Sequence, residues 1–390
     1  MIMRNNIIEL LKGVEVEWKA LGEVAKITIG EFIHQNNQAE SAKYPVYNGG
    51  ISPTGYYNNF NNRGHKIIVS ARGANAGFVN RISKPYWAGN SCYSIGIKDY
   101  YKLNWIFIYY FLKENEKNLI GSQQKGSIPS VSKKQMEKLQ IPIPPLHVQT
   151  EIVRILDKFT ALTAELTAEL TARKKQYNYY RDKLLTFKED EVEWKALGEI
   201  CSYVDYRGKT PQKTDSGVYL ITAKNIKKGY IDYQISQEYV SHDDYSVIMK
   251  RGYPKIGDVL ITTEAPCGNV AQIDREDIAL AQRVIKYRSV DQNILLNSFL
   301  KIILLGNTFQ NELLKVATGS TVKGVRGSFL HKIKIPIPSL SEQARIVEIL
   351  DKFDALTNSI TEGLPREIAL RQTQYEYYRN LLLDFPKVQE

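Results

Sequence analysis

The loop "SARGANAG" at 70–77 sets Arg72 and Asn75 among glycines and alanines, directly after the β-branched run "KIIV". Arginine and asparagine can each make two hydrogen bonds to one base edge, and small neighbours let a backbone come close to a polyanion. "ATGSTVKGVRGS" at 317–328 places Lys323 and Arg326 in the same kind of setting. Similar loops recur along the chain. "YPVYNGG" and "PTGYYNNFNNRG" offer Asn48 and Tyr56, and "GSQQKGSIPS" offers Lys125. "DYRGKTPQK" offers Arg207, "LITAKNIKKG" offers Lys224 and Asn225, and "TTEAPCGN" offers Thr263. Such sets combine cations that neutralise phosphates with donors that read base edges, which is the chemistry of nucleic-acid recognition.

Catalytic arrangements are missing from the sequence. It contains no GxGxxG, GxxxxGK[ST], HExxH or GxSxG, no kinase set, and no Asn/Asp-Pro-Pro-aromatic motif of base-methylating enzymes. Glu191, Glu193 and Lys195 could imitate a nuclease trio, but they lie in "KEDEVEWK", a charged linker. Cys92, Cys201 and Cys267 are far apart, no CxxC occurs, and the five histidines are scattered, so neither a thiol nucleophile nor a zinc site is expected. The reading is a binding protein rather than an enzyme. There is no apolar run of about 18 residues and no signal peptide at the start, and the cysteine usage suits a reduced, cytoplasmic setting.

Charge is distributed in blocks. The chain of 390 residues carries a formal +10. Residues 1–145 hold 18 Lys/Arg against 10 Asp/Glu, a net of +8, and residues 201–340 hold 19 against 13, a net of +6. Residues 341–390 are net −3, with 6 against 9. Two separate basic blocks point to a polyanionic partner contacted twice.

The elements that would position these loops are written twice. "VEWKALGEV" at 16–24 returns as "VEWKALGEI" at 192–200, and "IPIPPLHVQTEIVRILDKFTALT" at 141–163 returns as "IPIPSLSEQARIVEILDKFDALT" at 335–357. "RKKQYNYYRDKLLTF" at 173–187 returns as "RQTQYEYYRNLLLDF" at 371–385. Between these words the halves diverge, with faint echoes such as "GHKIIVSARGANAGFV" beside "GDVLITTEAPCGNV". Runs such as "KIIVSARG", "CYSIGIK", "VYLITAKN" and "DVLITTEAP" read as strands, and 103–115 and 295–306 as buried helices. The fold class expected is α+β, with an α/β domain in each half.

The repeated block reads as helix. Ile152, Leu156, Phe159, Thr163, Leu166, Leu170, Arg173, Tyr177, Tyr180 and Leu184 follow alternating steps of four and three, a heptad seam. The second copy follows it from Ile346 to Ile360 and is then interrupted at "EGLPRE", where Gly363 suits a helix end and Pro365 the first turn of the next. Two such helices have an obvious way to bury their seams, on each other and antiparallel. Phe159, Leu166, Leu170, Tyr177, Tyr180, Phe353, Tyr375 and Tyr378 are the expected packing and partner-docking residues. The division expected is a domain at 1–145, a helix at 146–188, a domain at 189–338 and a second helix at 339–390, broken near Gly363–Pro365.

Two diverged basic domains, each followed by an "IPIP…L…Q…RIVEILDKF" helix, resemble the specificity subunit of type I restriction–modification systems over essentially the whole chain. "ILDKFTALTAELTAEL" and "RKKQYNYYRDKLL" are closest to the type IC group. The resemblance implies a non-catalytic subunit. Its two target recognition domains each read one half of a split DNA site, and its helices form an antiparallel spacer that holds two methylation subunits. It also implies that methylation partners use S-adenosylmethionine and that motor–nuclease subunits use ATP and magnesium, none of them on this chain. In related type IC subunits the number of "TAEL" words varies with the gap between half-sites, and this chain has two, from Thr163 to Leu170. The alternatives are the specificity subunit of a type IIB-like bipartite system, or a coiled-coil scaffold that binds no DNA.

Overall fold

In this computed structural model the described residues are 2–121, 129–206, 211–319, 323–359 and 362–386. They form two units, Met1–Thr167 with Glu367–Glu390, and Ala168–Arg366. The division passes through the long helices, so each unit owns part of both repeated blocks. This differs from the sequence division, which assigned the helices whole.

In unit 1 the repeated words at the two ends of the variable block pair with each other. The strand Glu17–Ala20 of "VEWKA" runs antiparallel to Gln140–Ile143 of "QIPI". Proline is tolerated there because the sheet has only two strands, both edges. Beyond this clasp lies a four-stranded antiparallel sheet in the order 25–29, 92–97, 66–70, 79–82. A three-stranded sheet of 55–57, 44–47 and 87–88 stands beside it, with a parallel pair between 44–47 and 87–88. The apolar helix Trp105–Glu114 buries Phe107, Ile108 and Leu112 in the same core as Ile67, Val69 and Ile95. The Asn104 side chain caps that helix by accepting the Ile106 N–H.

Unit 2 repeats this plan from a diverged sequence. Its clasp joins Glu193–Ala196 to Lys334–Ile337. Its sheets run 201–205, 284–289, 259–263, 267–272 and 239–240, 218–221, 278–280. The helix Asn297–Leu305 packs Phe299 and Leu300 against Ile261 and Tyr287. Asp258 is buried and accepts from Nε and Nη2 of Arg288 at 2.5 and 2.6 Å, with Lys286 at 3.4 Å, so both carboxylate oxygens are paired.

The long helix Leu146–Leu184 has 39 residues, about 58 Å at ~1.5 Å per residue. Ile152, Leu156, Phe159 and Tyr177 of the expected seam are buried, whereas Thr163, Leu166, Leu170 and Arg173 are half-buried and Tyr180 is exposed. The second copy forms Leu340–Asn358 and Gly363–Leu383. The interruption falls where expected, but Gly363 opens the second piece rather than closing the first. Its φ is +72°, and a Cβ there would lie 2.4 Å from the Ala355 carbonyl oxygen, so glycine lets the chain pass close to the last turn of the preceding helix.

One pair of residues escaped sequence reasoning. Gln149 and Gln343 are fully buried near the start of their helices. Gln149 donates to the Pro144 and Lys102 carbonyls and accepts the Asn104 N–H at 2.9 Å. Gln343 does the same with Pro338, Ile294 and the Leu296 N–H. Each amide thereby locks a long helix to the buried helix of its own unit.

Candidate nucleic-acid interface

In unit 1 the central strand Lys66–Ser70 delivers the chain into the loop that carries Arg72 and Asn75. The loop is held from two sides. Ala71 donates to the Ser91 carbonyl at 2.7 Å, while Val131 donates to Ala71 at 2.9 Å and Gly73 to Pro129 at 3.0 Å. Asn48 reaches the same place, its Oδ1 accepting the Ser91 N–H at 3.3 Å, and the adjacent Gly49 N–H points at the Cys92 sulfur at 2.9 Å. Asn48 and Arg72 are thus brought together around Ser91–Cys92 from positions far apart in sequence. Arg72 is exposed, and the Asn75 carbonyl closes the turn by accepting the Phe78 N–H. Tyr56 is exposed on the edge strand Gly55–Tyr57. Burial pushes the Cys92 thiol up to about 11, and the same cause takes Cys201 to about 12, so both stay protonated at neutral pH and neither is an activated nucleophile.

Unit 2 builds the equivalent surface with different side chains. Glu264 bridges Gly324 where Arg72 bridges Ser130, and Val325 donates to Thr263 where Val131 donates to Ala71. The position of an exposed arginine in one domain is therefore a carboxylate in the other, and Arg283 pairs with it at 3.4 Å. Arg283 has a φ of +71° at the turn entering the strand Val284–Ser289. Lys213, Lys224, Glu238, Ala265 and Arg283 line one cleft of about 290 Å³. Burial works against the Glu238 carboxylate, but Lys213 at 2.8 Å outweighs it and holds it below the usual carboxylate range. Lys323 is exposed beside Gly324, and Arg326 is exposed at the start of the short helix Gly327–Leu330.

Two expected contact residues face inward. Asn225 is 0% exposed; its Oδ1 accepts the Thr222 N–H, and its Nδ2 donates to the Asp232 and Ser236 carbonyls and to the Tyr219 hydroxyl. All its hydrogen-bonding capacity holds the 222–236 loop in shape. Thr263 is 5% exposed, with its backbone engaged by Arg283 and Val325. Lys125 and Arg207 lie outside the described residues. Sequence reasoning passed over Lys213 and Arg283, because nothing local marks either as lining a shared cleft. Of the linker trio, Glu193 pairs with Lys195 at 3.2 Å and Glu191 with Lys188 at 2.8 Å, both on exposed chain. Among the described residues no cluster of three or more His, Cys, Asp or Glu side chains is placed to hold a metal ion, and no helix is long and apolar enough to cross a membrane.

The architecture is therefore one plan used twice, with two basic surfaces of different chemistry on an invariant frame. The type I restriction modification DNA specificity domain matches residues 13–173 and 189–370, and the chain belongs to that family. It is 36% identical to the specificity subunit of the type I restriction enzyme EcoR124I/EcoR124II of Escherichia coli, covering 97% of this chain and 96% of that one. It is also 36% identical to a putative type I restriction enzyme specificity subunit of Haemophilus influenzae, over 98% and 100% of the two chains. Among solved structures, the S subunit of a type I restriction–modification system from M. genitalium shares the fold, with a TM-score of 0.63 at 18% identity, over 98% of this chain and 99% of that one.

Proposed function

We propose that this chain is the DNA-recognition subunit of a type I restriction–modification assembly. Each unit's basic surface reads one half of a bipartite site, and the long helices set the gap between the halves and dock the methylation subunits. The chemistry is left to partners: methylation subunits that use S-adenosylmethionine, and motor–nuclease subunits that use ATP and magnesium. The observation that carries this reading is the equivalence of the places held by Arg72 and Glu264. They are equivalent places on one duplicated frame, at the end of the same strand and pinned by the same bridge, but with opposite charge. A frame that repeats while its exposed tips differ is what reading two unlike half-sites requires.

The test is sequencing of methylated bases in a host that expresses the chain with its partner subunits. A two-part target with a fixed gap is expected. Exchanging residues 25–140 for the corresponding block of a relative should change one half-site and leave the other; a change in both would sink the reading.

A further inference from the structure

The tip of the four-stranded sheet carries an arginine in each unit, but on opposite strands. Backbone hydrogen bonds fix the correspondence. Ala71 donates to the Ser91 carbonyl in unit 1 where Thr263 donates to that of Arg283 in unit 2, at 2.7 and 2.9 Å. Gly89 donates to Tyr47 where Ala281 donates to Ile221, each at 2.8 Å. Ser91 and Arg283 therefore hold equivalent places, as Arg72 and Glu264 do. Unit 1 sets its guanidinium after the strand Lys66–Ser70, and unit 2 sets it before the neighbouring strand Val284–Ser289.

The stability of the fold does not account for Arg283. Its φ is +71°, a left-handed conformation that is costly for any residue with a Cβ. Among the described residues His65, Ala265 and Arg283 are the non-glycine residues with positive φ, and Ala265 and Arg283 line the same cleft. Ser91, at the equivalent place, is not left-handed. The Arg283 side chain is 51% exposed and that of Glu264 44%, so their pair stands in water. An exposed pair of flexible side chains returns no more than the strain takes. Glycine would adopt this backbone at no cost, so the arginine is kept for its side chain.

The geometry narrows what that side chain meets. Glu264 lies on the Nε edge of the guanidinium at 3.4 Å, and no described residue accepts a hydrogen bond from the two terminal nitrogens. Those donors form a planar fork that matches N7 and O6 of guanine in the major groove. Phosphates ask only for positive charge, and Lys213 and Lys224 supply it from the same cleft. Granted that the chain is a DNA-recognition subunit, we infer that Arg283 reads a guanine in the half-site of unit 2. Glu264 is the positioning residue that holds the guanidinium for it.

The test uses the assembled complex. Exchange of residues 25–140 identifies the half-site of unit 1, and the half left unchanged belongs to unit 2. Methylated bases are then sequenced for Arg283→Gly, Arg283→Lys and Glu264→Gln, with binding isotherms on cognate DNA and on DNA altered at each G·C pair of the unit 2 half-site. Arg283→Gly should lose about five- to 150-fold of discrimination at one G·C pair and leave the other half-site unchanged. It should also melt higher than Arg283→Ala, which lacks the same ion pair but keeps the left-handed strain. Arg283→Lys keeps the charge without the fork, so it should lose that discrimination while binding non-specific DNA like the parent. Glu264→Gln should bind non-specific DNA more tightly and yet discriminate less at the same pair. A carboxylate acting through charge alone would leave discrimination intact, and that result removes its positioning role. A unit 2 half-site without a G·C pair, parent-like discrimination by either Arg283 variant, or uniform weakening on every sequence overturns the inference. A parent complex that methylates no two-part target sinks the recognition role itself; a two-part target with unaltered Arg283 variants sinks only the inference.

Discussion

Phe159 lies stacked on Tyr378, with ring centroids 5.7 Å apart and planes inclined by 28°. Within the other unit Phe353 repeats the arrangement on Tyr180, at 6.0 Å and 27°. The companion tyrosines, Tyr375 and Tyr177, each sit 6.4 Å away at a steeper tilt. The phenylalanine closes "ILDKF" in one copy of the repeat, and the tyrosines come from "QYxYYR" in the other. The duplicated sequence therefore holds itself together by exchange, each copy's phenylalanine packing on the other copy's tyrosines.

That exchange fixes where truncation hurts. Phe159 is buried, so Phe159→Ala should cost about 3 kcal/mol or more of stability, from lost burial and the cavity left behind. Phe353 is only half-buried, and Phe353→Ala should cost less. Denaturant unfolding of the two variants checks the order, and a larger loss for Phe353→Ala would contradict it.

The helix between the two aromatic clusters carries "TAELTAEL". A third copy would add about 6 Å and about 40° of helical rotation, against about 3.4 Å and about 34° for one base pair. Sequencing of methylated bases should then find both half-sites unchanged and the gap longer by about one base pair. An unchanged gap would show that the helix is not the ruler.

Arg72 and Lys323 are exposed on the candidate surfaces, so their removal should weaken DNA binding without unfolding the chain. If Arg72 contacts a base, Arg72→Ala costs about 1–3 kcal/mol and relaxes one half-site; if Lys323 contacts a phosphate, Lys323→Ala lowers affinity for all sequences and reduces the salt slope by about 1. Binding isotherms of the assembled complex at several salt concentrations decide this, and wild-type behaviour of both variants would remove them from the interface.

Asn225 should behave in the opposite way. Asn225→Ala strands the buried carbonyls and N–H that its amide now satisfies, at about 1–3 kcal/mol. A lowered melting temperature is expected, with little effect on DNA affinity per folded molecule at low temperature. Loss of affinity at unchanged stability would mean that the side chain turns outward to DNA.

The thiols give a pH dependence. Cys92 is raised by burial from 9.0 to about 11 and Cys201 to about 12. An acid whose folded value lies above its unfolded one stays protonated in the folded state while the unfolded chain ionises. The contribution is therefore whole below about pH 9 and is lost as pH rises from there through the folded values. Stability should fall between pH 9 and 11, less steeply in Cys92→Ala than in the parent protein, and native thiols should resist alkylation at pH 8. Rapid labelling of Cys92 at that pH would refute the assignment.

The sequence by itself determined the duplication, the places of several strands and of two buried helices, the long helix, and the interruption of its second copy near Gly363. These follow from period and from repeated words, which are carried by neighbours along the chain. Tertiary structure decided which loop residues face out. Lys224 and Asn225 are adjacent and equally polar, but one lines a cleft and the other is sealed inside by partners as far away as Ser236. Arg283 joins that cleft through a left-handed backbone turn and a pairing with Glu264 that no local pattern announces. Gln149 and Gln343 read as ordinary polar residues on a helix, and only packing against the entry of a second helix buries them. Exposure and hydrogen-bond partnership are set by segments distant in sequence, so the frame could be read from one chain, whereas the contact surface needed the folded molecule.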